Sequence, residues 1–304
     1  MAQNSIKRIR YFIGWVFFKL CSLTSKFVPL SLIYKFADGL AFIGYKYVGR
    51  LRDVTLESLK IGLGDVLSPE DIRKIAFDTI RNFMRVGLEL LAFVERPNLL
   101  DEYITIEGKE NLQKALKRNR GVIGLTGHFG DFPLMCLKLA REGFKVNVMA
   151  RPARDARMDR EITQIRTRCG VGTIYSYPRR EAVRKSLEVL KKNEILVIQM
   201  DQNFGTGGIG VYFFGKKAAT PKGPVVLGLR SGASIVPMFI IRDSEDIRRQ
   251  KIIIEEPKIL NRNENLQETI REYVQEFTSL LERYVRKYPD HWGWMHRRWK
   301  SKVS

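Results

Sequence analysis

Histidine and cysteine are scarce: the 304 residues hold three of each. Cys21, Cys136 and Cys169 share no close spacing, which excludes a disulfide framework or a thiolate metal site and fits reduced thiols in the cytosol. Long apolar runs are missing too. Tyr11–Phe18, Phe27–Tyr34 and Phe36–Tyr45 are short or broken by Lys19, Lys26 and Asp38, so no spanning helix is expected. No small-residue cleavage site follows the first run, which argues against a signal peptide. The chain has no Gly-x-Ser-x-Gly elbow and no His-Glu-x-x-His pair, so hydrolases and zinc proteases with those signatures lose their support. Gly205 to Gly210 has dinucleotide-binding spacing, but strand-like Val211–Phe214 follows where a helix is required. Gly210 to Lys216 spaces out a phosphate loop, yet Lys217 stands in place of the required Ser or Thr.

What is present is a large potential core and a strong positive charge. Hydrophobic residues make up 44% of the chain, and 53 Lys and Arg oppose 33 Asp and Glu. The excess is concentrated at the ends: residues 1–52 hold nine basic residues against Asp38, and residues 283–304 hold seven against Asp290. Basic ends with interleaved aromatics suit an anionic membrane surface, or an acidic protein, better than nucleic acid. The middle of the chain is only mildly basic and carries no nucleic-acid motif. Short apolar runs bearing Trp15 and several phenylalanines, with lysines able to snorkel, fit helices lying in a bilayer interface.

From Tyr103 onward the pattern alternates between strands and helices. Short continuous apolar strands such as Ile195–Ile198 predict burial on both faces and hence a largely parallel sheet. The expected architecture is α/β: a largely parallel central sheet flanked by helices over residues 53–304, preceded by membrane-associated helices over 1–52.

One turn draws attention. Gly127-His128-Phe129-Gly130-Asp131 follows the predicted strand Gly121–Thr126, and in open parallel sheets ligands bind beyond the carboxyl ends of strands. A second polar strand end, Asp201-Gln202-Asn203, follows Glu194–Met200. If the two strands are neighbours, His128 and Asp201 face one cleft, with Asp131 also in reach. An imidazole oriented by a carboxylate takes a proton from a hydroxyl.

The sequence resembles the bacterial lipid A biosynthesis (late) acyltransferase family. The resemblance runs through Gly127–Gly130, Ala150-Arg151-Pro152 with Asp159 to Arg166, Met200–Asn203, Phe213–Pro224, Val236-Pro237, and the ending His291–Trp299. It implies a glycerolipid-acyltransferase-like fold and transfer of an acyl chain from acyl carrier protein or acyl-CoA. The acceptor is a hydroxyl of a membrane glycolipid, foremost a lipid A precursor. The implied setting is the cytoplasmic face of the bacterial inner membrane, with no cofactor or metal; a monomer is the default expectation. His128 becomes the general base, with Arg166 and secondarily Arg151 for acceptor phosphate. The composition of the turn suggests oxyanion donors from the Gly127–Gly130 backbone. Gln202 completes the cleft, and Phe214 with Lys216 borders acyl chain and headgroup.

One position departs from the family. Its signature histidine is followed, after four residues, by Glu or Asp, and here that position is Pro133. Proline cannot orient an imidazole. The carboxylate is therefore expected from Asp131 or from Asp201.

Overall fold

A computed structural model describes residues 2–301; Lys302, counted above with the basic C-terminal end, lies outside them, as does the side chain of Lys7. Four helices come first: α1 (Ala2–Ser25), α2 (Leu30–Tyr47), α3 (Gly49–Leu63) and α4 (Pro69–Glu95). The start of α4 is written in the sequence. The Ser68 hydroxyl accepts the Asp71 N–H at 3.1 Å, and Pro69 fills a position that needs no donor.

Alternation then sets in with α5 (Leu99–Tyr103), β1 (Ile104–Glu107), α6 (Lys109–Leu116), β2 (Val122–Thr126) and α7 (Phe132–Arg141). Next are β3 (Val146–Ala150), α8 (Ala156–Arg168), β4 (Val171–Tyr175), α9 (Arg179–Lys191) and β5 (Ile195–Gln199). A hairpin of β6 (Ile209–Phe213) and β7 (Lys216–Thr220) precedes α10 (Gly223–Ser231), β8 (Ser234–Arg242), β9 (Gln250–Ile254) and α11 (Leu266–Lys287).

The main sheet has the order β1-β9-β8-β2-β5-β3-β4, and every neighbouring pair is parallel except β8–β9. All five residues of β2 and all nine of β8 are buried, as continuous apolar strands covered on both faces must be. One face packs on α7, α6 and α4 through residues such as Leu134, Leu112 and Leu91. The other packs on α9, α10 and α11 through Leu190, Val225 and Val274. A third cluster unites Phe129, Phe213, Phe239, Trp292 and Trp294. Trp292 and Trp294 are wholly buried, so this part of the C-terminal tail is core.

The N-terminal helices dock on this body. α2 buries Tyr34, Ala37 and Ala41 and is held to α4 by a bidentate Arg85–Asp38 pair, both bonds 2.7 Å. Lys19 on α1 pairs with Glu161 on α8 at 3.1 Å. The expected boundary at residues 52–53 falls inside α3, which runs through it without a break. Among the described residues no helix is long and apolar enough to cross a membrane.

Candidate active site

β2 and β5 are adjacent and parallel, with Thr126 opposite Gln199. Two residues beyond each end stand His128 and Asp201. Gly127 permits their approach, because a Cβ there would sit 3.2 Å from the Asp201 carboxyl group. His128 Nδ1 lies 2.8 Å from Asp201 Oδ1; with the carboxylate as acceptor, Nδ1–H is the donor. Asp201 Oδ2 accepts the His128 backbone N–H at 2.7 Å and the Trp292 indole N–H at 2.8 Å.

These donors outweigh burial. The Asp201 side chain is only 1% exposed, and burial alone pushes its carboxyl up, but the charge and hydrogen bonds of His128 and the indole N–H bring it far below the usual range. For His128 burial pulls down, and the Asp201 charge and hydrogen bond win, leaving its pKa above the ordinary histidine value. With Nδ1–H engaged, the Nε2 lone pair faces the cleft. It accepts an N–H from the Gln202 amide at 3.2 Å, and the same amide reaches His296 Nε2 at 3.4 Å. The His296 ring centre is 5.0 Å from that of His128; burial, then the charge of His128, holds its pKa below the ordinary value.

Two expectations need correction. Asp131 does not orient His128: it is buried, and its Oδ1 accepts the Leu134 N–H at 2.9 Å as the N-cap of α7. The backbone of the turn does not supply the expected oxyanion donors at two positions. The His128 N–H is held by Asp201, and the Gly130 N–H donates to the His291 carbonyl at 2.8 Å. Gly130 has a structural reason to be glycine, since its φ is +55° and a Cβ would stand 2.1 Å from the Ile240 carbonyl oxygen.

Next to the imidazole lies an apolar cavity of about 370 Å³. Phe132, whose ring meets His128 edge-on at 5.5 Å, forms part of its wall, with Pro133 and Cys136 from α7, Phe18 from α1, and Met158 from α8. Pro133, at the family's acidic position, thus faces the cavity, and the carboxylate that holds the imidazole stands instead beyond the neighbouring strand end. Arg166 also lines the cavity; its guanidinium makes no hydrogen bond or ion pair among the described residues, and burial lowers its pKa. Arg151 and Lys216 are exposed, after β3 and at the β6–β7 turn. Phe214 is buried against Trp294, with the Arg286 guanidinium over its ring, and does not line the cavity. Trp292 and His296 were not singled out as site residues: both sit in the aromatic tail, whose sequence reads equally as a surface patch.

The arrangement is a carboxylate-held imidazole beside an apolar cavity that also bears a cation, which suits proton transfer to or from a hydroxyl beside an apolar chain. The chain is 22% identical over 299 residues to the lipid A biosynthesis lauroyltransferase of Escherichia coli, spanning 96% of this chain and 93% of that one. It is 23% identical to the lipid A biosynthesis palmitoleoyltransferase of the same organism, over 96% and 92% of the two chains. It is 22% identical to the phosphatidylinositol mannoside acyltransferase of Mycolicibacterium smegmatis, over 66% and 67%. Among solved structures, the 1-acyl-sn-glycerophosphate acyltransferase of Thermotoga maritima aligns with a TM-score of 0.40 at 17% identity, covering 86% of this chain and 97% of that one. Residues 2–301 match the family described as bacterial lipid A biosynthesis acyltransferase, and with that match across the described chain the protein belongs to this family of acyltransferases.

Proposed function

We propose that the protein transfers a fatty acyl chain from a thioester, carried by acyl carrier protein or CoA, to a hydroxyl of a membrane glycolipid, foremost a lipid A precursor. The observation that carries this reading is the His128–Asp201 pair opening beside the apolar cavity. His128 Nε2 takes the acceptor's hydroxyl proton as the oxygen attacks the thioester carbonyl carbon. When the tetrahedral intermediate collapses, the carbon–sulfur bond breaks and the imidazolium returns the proton to the departing sulfur. Asp201 fixes the tautomer and stabilises the imidazolium between these events. Gln202, whose amide N–H meets Nε2 in the free site, turns from the imidazole to the oxyanion when the acceptor hydroxyl takes its place. Arg166 receives an anionic oxygen of the substrate, as an unpaired and partly desolvated guanidinium favours.

The acyl chain occupies the cavity. Phe18 of α1 forms part of its wall, while Phe12, Phe17, Leu20 and Leu23 of the same helix are exposed. On α2 and just before it, Phe27, Phe36 and Phe42 are exposed as well. These faces, with the basic residues beside them, lie in the interface of an anionic bilayer, and we place the enzyme on the cytoplasmic face of the inner membrane. A phosphatidylinositol mannoside is the second acceptor class, suggested by the mycobacterial relative.

Gly87→Phe tests where the chain lies. Gly87 lines the cavity, and a Cβ there meets nothing within 4 Å, so the fold tolerates the change. The variant is expected to favour shorter donors. Losing room for two methylenes costs about 1.6 kcal/mol, which is more than about tenfold in kcat/KM for the longest wild-type donor. An unchanged chain-length profile, measured across a donor series, contradicts this location.

A further inference from the structure

Behind the catalytic turn lies a buried group of charges that the proposed reaction does not use. Glu89 of α4 is wholly buried and receives four hydrogen bonds. Tyr34 of α2 donates to Oε2 at 2.7 Å, the Arg242 guanidinium donates to both oxygens, and Gln250 of β9 donates to Oε1 at 3.2 Å. Arg242 is itself buried, and its backbone N–H donates to His291 Nε2 at 3.0 Å. So surrounded by donors, Glu89 is ionised.

Asp131 abuts this group with the opposite inventory. Oδ1 takes the Leu134 N–H, while Oδ2 is buried and meets no donor among the described residues. The Glu89 carboxylate is the hydrogen-bonding neighbour of Asp131, and Arg242 and Gln250, which hold Glu89, share a small cavity with Asp131. Two carboxyl groups form a hydrogen bond only when one of them keeps a proton, and a buried acceptor with no donor is costly. The proton therefore belongs on Asp131.

We propose that Asp131 is a protonated carboxylic acid donating to Glu89, and that this single-proton pair is a positioning device tying the His128 turn to the N-terminal helical layer. The chain of contacts runs from Tyr34 on α2 through Glu89 on α4 to Asp131, three residues from His128 and the cap of α7. Calling it a device for catalysis rests on the acyl-transfer reading; the protonation itself does not.

The surrounding groups support the assignment. Facing Asp131 are Glu89 from α4 and Arg242 from β8, with His291 of the C-terminal segment across a small shared cavity; Cys136 lies farther along α7. Burial first, and then the Glu89 charge, push the Asp131 carboxyl well above its usual range; Arg242 opposes this with a weaker effect.

The test compares Asp131→Asn and Asp131→Ala with the full-length wild type. Asparagine keeps the capping oxygen and supplies an N–H toward Glu89, so it imitates the protonated acid; alanine supplies neither. The unfolded chain releases the Asp131 proton near about pH 4, whereas the folded chain holds it to higher pH. Wild-type stability from this group therefore falls as pH rises from about 4 through the folded pKa. Asparagine has no such proton, so the Tm of Asp131→Asn minus that of wild type is expected to grow between pH 5 and 8. In activity, Asp131→Ala is expected to lose about tenfold in kcat, the effect of losing one buried hydrogen-bond partner, and Asp131→Asn to restore most of it. A Tm difference constant over this range, or an asparagine variant as impaired as alanine, overturns the proposal. The melting experiment needs no substrate, so its result stands apart from whether acyl transfer is found.

Discussion

His128→Ala is expected to lower acyl transfer by at least about a hundredfold while leaving the protein folded. A positioned general base contributes about 10²–10⁴ in rate, and His128 stands against Phe132 of the cavity wall with its Nδ1–H held by Asp201. His296 is the neighbouring imidazole, 5.0 Å away between ring centres, but its Nδ1 has no carboxylate partner and its pKa is held low. It makes a weak substitute. The His128 side chain is 23% exposed, so most of it is buried, and truncation also leaves the buried Asp201 carboxylate without its imidazole, so the variant is expected to fold with a lowered Tm. A far-ultraviolet circular dichroism spectrum close to wild type, with activity lost at a temperature below the variant's Tm, is the expected result. Turnover near wild type in the folded variant removes His128 from the mechanism.

Asp201→Asn is expected to be as damaging as deletion of the base, although it changes one atom. Oδ2 of Asp201 accepts two N–H groups, from the His128 backbone and from Trp292. Asparagine satisfies both only by presenting its carbonyl oxygen there, which turns its NH2 toward His128 Nδ1. Nδ1 must then accept, and the ring proton moves to Nε2, where a base is required. The expected loss is at least about a hundredfold in kcat, within the range for removing general-base catalysis.

The pH profile separates this from misfolding. Activity needs neutral His128, and Asp201 raises its pKa above the ordinary value, so wild-type kcat/KM rises with pH through a midpoint above about 6.5. Residual activity of Asp201→Asn has its acid limb shifted downward, because the carboxylate no longer stabilises the imidazolium. A variant that keeps both rate and acid limb refutes the pairing. Stability follows the opposite sign at the carboxylate: the contribution of Asp201 is present above the usual carboxylate range and lost only in strong acid.

Much of the sheet was readable because a buried parallel strand must be apolar throughout. Val122–Thr126 and Ile195–Gln199 stand out for that reason and agree with the expected strands to within a residue. The adjacency of β2 and β5 was a condition that sequence spacing leaves open, since five elements intervene between them in the chain. The choice between Asp131 and Asp201 was open for the same reason. Proximity in sequence favoured Asp131, yet its place at the start of α7 commits it to capping, and strand order brings the distant residue to the imidazole. Trp292 was legible as an aromatic and not as a hydrogen-bond donor, because its partner lies 91 residues away. The division at residue 52 followed charge, and charge does not mark where a helix such as α3 begins or ends.

The most direct measurement is acyl transfer followed by lipid mass spectrometry. Purified protein is given acyl carrier protein or CoA thioesters, with lipid A precursors and phosphatidylinositol mannosides as acceptors. A product heavier by one acyl chain, formed by wild type and absent with both His128→Ala and Asp201→Asn, is the predicted result. A product formed equally well by either variant, or no product from any donor and acceptor pair with folded wild-type protein, contradicts the account.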